Sequence, residues 1–389
     1  MQIVLPEDWK NGGFGLYLHW PFCQAKCPYC DFNSHVRQTI NQQLWLKAYL
    51  SEIERYAALV PGRLLNSIYL GGGTPSLMEP ALVHGILDKV RDSWTLANDI
   101  EITLEANPNS VEADRFKEYA NAGVNRVSLG IQALNDTDLK RLGRLHTADE
   151  ALRALDIAKT HFSRVSFDLI YSRQDQSQQS WESELNQALT LAGDHLSLYQ
   201  LTIEDGTAFA DRFMAGKLRG LPDDDQSADM FEFTRGLCQN AGFHNYEVSN
   251  FALPGAESRH NLIYWHYGDY IGIGPGAHGR ITLNNQRYAT ETHLKPEDWL
   301  AKVKSGNSDQ QITKMSATEQ SQEYLMMGLR LTEGVDMVRY EQISGSQLNP
   351  AIVKDLEELG MLTLCDSRLC VTTKGRTLLN AVTAELLRD

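Results

Sequence analysis

The stretch Cys23-Gln24-Ala25-Lys26-Cys27-Pro28-Tyr29-Cys30 places three of the chain's six cysteines within eight positions, spaced C-x3-C-x2-C with no fourth cysteine nearby. GLYLHW (15–20), a β-rich run, precedes it, and the amphipathic segment QQLWLKAYLSEIERYAALV follows from residue 42. Strand, thiol-bearing loop and helix in that order form a β-α unit whose loop carries the chemistry.

The unit repeats. SIYLGGG (67–73), DIEITLEA (99–106), NRVSLGIQ (125–132), RVSFDLIY (164–171) and HLSLYQLTI (195–203) are five further β-rich runs. Amphipathic segments separate them, one of which, ADRFKEYANAG, stops on Gly123. Six such repeats imply an α/β fold with a parallel sheet and helical crossovers. The runs read as continuous apolar stretches, as expected of strands covered on both faces. Special residues gather at their downstream ends. Cys23 to Cys30 follow the first, Gly71 to Pro75 the second, Glu105 closes the third, Gln132 ends the fourth and Asp168 sits near the end of the fifth. Ligands of parallel β/α folds bind at the carboxyl ends of the strands, so five strands aim at one site.

Past residue 205 the pattern changes. A helix over 225–240 and the run HNYEVSNFA lead to RHNLIYWHYGDYIGIGPGAHG, rich in glycine and aromatics. The last 80 residues read as helix, helix, two short strands around CDSRLC and a final helix, a winged-helix-like arrangement. The expected division is a barrel over 1–205, an extension over 206–300 and a small C-terminal α+β domain over 301–389.

A net charge of −14 argues against nucleic acid or an anionic membrane as the main partner and favours a structural or covering role for the winged helix. MQIVLPEDWK lacks a signal-peptide pattern, and no apolar run approaches the ~18 residues of a membrane span. A cytoplasmic, reducing compartment is expected, where clustered thiols hold metal or do redox chemistry. Cys238, Cys365 and Cys370 read as structural, small hydrophobes that happen to be thiols.

Three readings of the clustered thiols compete. Zinc would take a fourth ligand from His19 or His35. A redox pair would use Cys27 and Cys30. An iron–sulfur cluster would leave one iron free for a small molecule. Structural zinc needs no glycine loop or strand-end carboxylates aimed at the same face, whereas a cluster with an open iron needs a bound co-reactant. Gly72 and Gly73 allow close backbone approach. Thr74, Glu105, Gln132 and Asp168 supply donors and acceptors for an amino acid or a ribose.

YLHWPFCQAKCPYCDFNSH, YLGGGTPS, LEANP, VSLGIQ, LGRLHT, FDLIY and RHNLIYW with GIGPGAH together resemble the radical S-adenosylmethionine (radical SAM) superfamily. Within it they resemble the coproporphyrinogen-dehydrogenase-like (HemN) family, on the side of its heme-chaperone (HemW) branch. The resemblance implies a partial (β/α)6 TIM-like barrel and a [4Fe-4S] cluster held by Cys23, Cys27 and Cys30. Its fourth iron is chelated by SAM, which is reductively cleaved to a deoxyadenosyl radical. By position, Tyr17 and Tyr29 match SAM contacts, and Gly72, Gly73 and Thr74 match the loop that meets its amino group. Glu105, Gln132, Arg144 and Asp168 match the remaining contacts, with Thr202 and His278 aligning more loosely.

Two departures stand out. The family follows FDLIY with a glycine-proline turn, whereas this chain reads SRQDQ (172–176), expected to alter a loop lip and not the chemistry. The oxygen-independent oxidases follow the third cluster cysteine with Gly-Cys and carry a long segment ahead of the first strand. Here Asp31 and Phe32 follow, as in the chaperone branch, and sixteen residues precede Tyr17. The resemblance therefore implies heme as bound cargo, with respiratory heme apoproteins as recipients and any membrane contact made through such a client. The alternatives are a SAM-dependent oxidase that decarboxylates coproporphyrinogen III and a non-catalytic zinc-binding module. His35, His260 and His278 are the candidate heme ligands.

Overall fold

The computed structural model describes residues 7–306 and 308–388. Six parallel strands form its frame: β1 (Phe14–Trp20), β2 (Leu64–Gly72), β3 (Thr95–Ala106), β4 (Arg126–Gln132), β5 (Arg164–Tyr171) and β6 (His195–Gln200). Helices α1 (Gln42–Leu59), α2 (Pro80–Ser93), α3 (Phe116–Ala122), α4 (Ala148–His161) and α5 (Gln178–Leu191) make the crossovers. Their ends follow local chemistry. Asn41 caps α1 by accepting from Leu44 N at 3.1 Å; α4 opens on a Thr147/Glu150 capping box; α3 stops at Gly123, whose φ of 111° suits glycine.

The strands are not the continuous apolar runs expected above. Each alternates. Leu16 and Leu18, Ile68 and Leu70, Ile102 and Leu104, Val127 and Leu129, Val165 and Phe167, Leu196 and Leu198 are all at most 5% exposed and pack in the core under the helices. On the opposite face the parallel register sets Tyr17 beside Tyr69, Tyr69 beside Thr103, Glu105 beside Ser128 and Asp168 beside Ser197. The inner face is therefore polar and must satisfy itself. Near its base Arg164 meets Glu101 at 2.7 Å, and Ser166 Oγ lies 2.7 Å from His195 Nδ1. A period of two places one row toward helices and the other into the barrel.

The sheet is open and larger than six strands. β7 (Asn250–Ala252) pairs antiparallel with β6, and the strand His244–Asn245 pairs with β7. On the other side β8 (Asp269–Ile273) lies parallel to β1, with Phe14 opposite Asp269 and Leu18 opposite Ile273. β9 (His278–Leu283), β10 (Gln286–Thr292) and β11 (Asp309–Lys314) continue from it antiparallel. The GDYIGIG segment thus supplies a seventh parallel strand; three glycines in so short a run hid it from pattern reading.

The C-terminal unit is winged-helix-like. Helices Ala317–Gly328, Met337–Ser344 and Pro350–Glu358 precede the hairpin Leu362–Cys365/Arg368–Val371, and Val335–Asp336 adds a third strand too short to read from sequence. Asp355, Glu357 and Glu358 outweigh Lys354 on the third helix, a composition that repels phosphate backbones. Cys238 is fully buried, but Cys365 is exposed and so is not the small core hydrophobe expected; Cys370 is half-buried. Among the described residues no helix is long and apolar enough to cross a membrane.

Candidate cluster and cofactor site

The cysteine loop is anchored before any ligand binds. Beneath it, Trp45 stacks on Trp299 at 5.5 Å and Trp20 packs against Trp45, while Tyr49 donates to His19 O at 2.6 Å. Cys30 N donates to Cys27 O at 3.1 Å, closing a tight turn. Asn33 ties the far end down. Its amide donates to Pro275 O and Leu294 O at 2.9 Å each, and its carbonyl oxygen lies 2.9 Å from His19 Nε2. The GPG turn exists for this close approach, since a Cβ on Gly276 would meet Asn33 Nδ2 at 2.5 Å and one on Gly274 would meet His19 O at 2.2 Å.

All three cysteines line one cavity of about 360 Å³. The same wall contains Tyr29, Gly72, Gly73, Thr74, Glu105, Gln132, Arg144, Asp168 and Thr202. Two sequence candidates lie elsewhere. Tyr17 is packed under the site, its ring 6.2 Å from Tyr69 and 6.1 Å from His260, its hydroxyl 2.9 Å from His19 Nδ1. His278 opens β9 on the exposed surface, 3.9 Å from Glu291. Asn107 and Tyr199 also line the cavity and went unread. Strand alternation was the signal, because Asn107 is two residues beyond Glu105 and Tyr199 two beyond Ser197, on the same inner face.

The polar groups interlock. Thr74 Oγ1 donates to Cys23 Sγ at 3.4 Å, and Arg144 Nη1 donates to Cys27 Sγ at 3.4 Å. Arg144 Nη2 reaches Asn107 Oδ1 at 2.6 Å and Gly130 O at 2.9 Å. Arg144 is thus held in the cavity wall by these contacts. Glu105 accepts from the Tyr69 hydroxyl at 2.8 Å and from Gly72 N at 3.1 Å. Loss of water pushes its carboxyl up to about 7, the charge of Asp168 adding to the shift, and burial pushes Asp168 up to about 6. Burial likewise raises the Cys23 and Cys30 thiols, so ligation there releases protons.

Over residues 17–183 the chain matches the sequence profile of the radical SAM superfamily, and over 315–378 that of the HemN C-terminal domain. It is 39% identical to the heme chaperone HemW of Escherichia coli, across 94% of this chain and 96% of that one. The chain belongs to the HemW branch of the HemN-like radical SAM family. It is also 38% identical to the mouse mitochondrial radical S-adenosyl methionine domain-containing protein 1, covering 96% of this chain and 87% of the relative. Coproporphyrinogen III oxidase (HemN) from E. coli shares the fold, with a TM-score of 0.81 at 21% identity over 97% of this chain and 92% of that one.

Membership implies a [4Fe-4S] cluster and SAM, and this HemW-like site fits both. Its donors are three thiols, the soft ligands iron–sulfur clusters use. Among the described residues no three His, Cys, Asp or Glu side chains converge as one metal ion requires, whereas the thiolates of a cluster bind separate irons and stand farther apart. Arg144 Nε is buried with no hydrogen-bond partner among the described residues, an orphan donor in the cavity wall. Of the candidate heme ligands, His260 is 3% exposed with both ring nitrogens engaged, by Ser67 Oγ at 2.9 Å and the Tyr264 hydroxyl at 3.0 Å. It is a structural histidine and offers iron no free nitrogen.

Glu105 gives two measurable outcomes. Glu105→Ala is expected to lower SAM affinity about ten- to a hundredfold in equilibrium binding, since a charged hydrogen bond contributes roughly 1.5–3 kcal/mol, while iron and sulfide content hold. The second concerns the apo chain. With its folded pKa raised to about 7, Glu105 makes the native state bind an extra proton between roughly pH 4.3 and 7. Its stabilising contribution is full below that window and lost as pH rises through it. Glu105→Gln should flatten this part of the stability profile by about 1–3 kcal/mol in urea titrations; an unchanged slope contradicts the assignment.

Proposed function

We propose that this protein binds heme and hands it to respiratory heme apoproteins, with Cys23, Cys27 and Cys30 holding the [4Fe-4S] cluster and the strand-end cavity holding SAM. When bound, the cluster supplies a low-potential electron and an open iron for SAM. This chain's own residues orient and enclose. Gly72 and Gly73 present backbone to SAM's amino-acid end, their missing Cβ atoms making way for the His19 ring and the Trp20 and Phe22 carbonyls, and Glu105 accepts from a donor there. Arg144 and Asn107 brace Cys27 against the fourth strand, and Asp168 offers a ribose a hydrogen-bond acceptor. The protein acts in the cytoplasm, where thiols stay reduced.

The observation that carries this reading is the Asp31-Phe32 pair after Cys30, where the oxidases of the family have Gly-Cys. Phe32 is 55% exposed and lines the cavity with Tyr199, itself 43% exposed. Two exposed rings suit a flat apolar macrocycle. Hydrogen abstraction needs the target carbon held within roughly 3–4 Å of the radical in a closed site.

After anaerobic reconstitution, the protein is expected to bind heme stoichiometrically, read by Soret absorbance. It is expected not to convert coproporphyrinogen III with SAM and reductant present. Slow deoxyadenosine formation decides nothing. Protoporphyrinogen, or its oxidised form, at multiple turnovers by chromatography would overturn the chaperone reading in favour of the oxidase.

A further inference from the structure

Behind the cysteine loop lies a second cavity, of about 480 Å³. Cys27 and Cys30 line it as they line the SAM-side cavity, so the loop over 26–30 is a thin wall between the two. Pro28 holds this wall in place, its carbonyl accepting from Phe209 N at 2.8 Å, its ring against Gly143 where a Cβ would meet Pro28 Cδ at 2.6 Å. The charged residues of the lining are Lys26, Lys140, Arg141 and Arg212, and no Asp or Glu is among them. In a chain of net charge −14 such a site is unusual. Arg141 meets Asp138 at 3.6 Å and Asp175 at 3.1 Å, whereas Lys26, Lys140 and Arg212 form no ion pair among the described residues. Next to Arg212, Phe213 and Met214 are 54% and 80% exposed.

We propose that this basic cavity is the docking surface for an acidic, low-potential one-electron carrier protein, which delivers its electron through the Cys27–Cys30 wall. The proposal rests on the cluster assignment above. The carrier is oxidised by one electron, and the group held by the thiolates gains it. Electron transfer weakens steeply with distance, so the donor belongs at the protein surface nearest the cysteines. Complementary charge selects and steers such a partner. Concavity favours a protein over a membrane, because an acidic side chain can enter a recess that a flat bilayer would leave unfilled.

The double variant Lys140→Glu, Arg212→Glu tests this in the full chain, with photoreduced plant-type [2Fe–2S] ferredoxin as the acidic probe. Both positions are solvent-exposed on short helices and lie outside the cofactor-binding wall. Freeze-quench electron paramagnetic resonance reads the cluster's reduction, and an immobilised oxidised ferredoxin reads binding separately. At low ionic strength the variant is expected to lose ferredoxin binding and to be reduced about tenfold more slowly or worse. The unsubstituted protein should slow as salt is added, and photoexcited deazaflavin, a neutral reductant, should reduce both proteins alike. Unchanged ferredoxin binding and rate, or equal slowing with deazaflavin, would overturn the docking surface. So would intact ferredoxin reduction combined with lost binding to phosphatidylglycerol vesicles, which would assign the face to a membrane. Reconstitution that yields no iron and sulfide sinks the cluster reading instead, and the binding measurement still decides the docking surface.

Discussion

Cys27→Ser is expected to abolish the iron–sulfur chromophore and leave the fold intact. A three-thiolate site cannot lose one ligand and keep a cluster whose fourth iron already lacks a protein thiolate. The loop itself stands without Cys27 Sγ. Its anchors are Asn33, Pro28 and the Trp45–Trp299 stack, and the thiol's polar contacts are with Arg144 and Tyr29. The broad absorbance near ~400 nm should vanish after reconstitution while far-UV circular dichroism and the urea midpoint stay put. A serine variant retaining full iron and sulfide would refute the cluster assignment.

Arg173→Ala is expected to destabilise the protein by about 3–5 kcal/mol, because it leaves a buried carboxylate without its cation. Arg173 is 3% exposed. It meets Glu184 of α5 at 2.5 Å and Asp138 at 2.8 Å, and donates to Ile170 O at 2.6 Å. Glu184 in turn accepts from Leu134 N at 2.7 Å. Three elements around the carboxyl ends of β4 and β5 are thereby fastened at one guanidinium. This corrects the expectation that SRQDQ changes only a loop lip: Gln174 and Asp175 do reach the surface segment over 219–220, but Arg173 turns inward. A urea midpoint unchanged in Arg173→Ala would show the network to be dispensable. Arg173→Lys should recover part of the loss, since an ammonium cannot reproduce the fork across two carboxylates.

Much of the site was legible in the sequence because its residues sit at strand ends, and strand order alone carries strand ends to one face of a parallel sheet. Cys23, Gly72, Glu105, Gln132 and Asp168 needed no tertiary information beyond that rule. The reading of the strands as uniformly apolar missed their alternation, and with it Asn107 and Tyr199. That miss came from applying the both-faces-covered rule where the second face is the barrel's interior, which is polar here. The C-x3-C-x2-C spacing by itself left zinc, redox and cluster readings open; the flanking strand-end residues narrowed them.

What the sequence determined by itself was the α/β repeat, the cysteine loop after the first strand and the convergence of special residues on one end. Those follow from periodicity and chain order, which are local properties. Only the tertiary structure decided the partners of buried groups. It decided that His260 lies between Ser67 and Tyr264, that Tyr17 lies under the site and not in its wall, and that Gly274 and Gly276 are small to admit His19 and Asn33. It also decided that Arg173 faces inward and that Lys140 and Arg212 line one cavity with Cys27 and Cys30. The physical reason is that such contacts join residues tens to hundreds of positions apart. No local pattern encodes which distant donor will satisfy a buried acceptor, and only the packed chain brings them together.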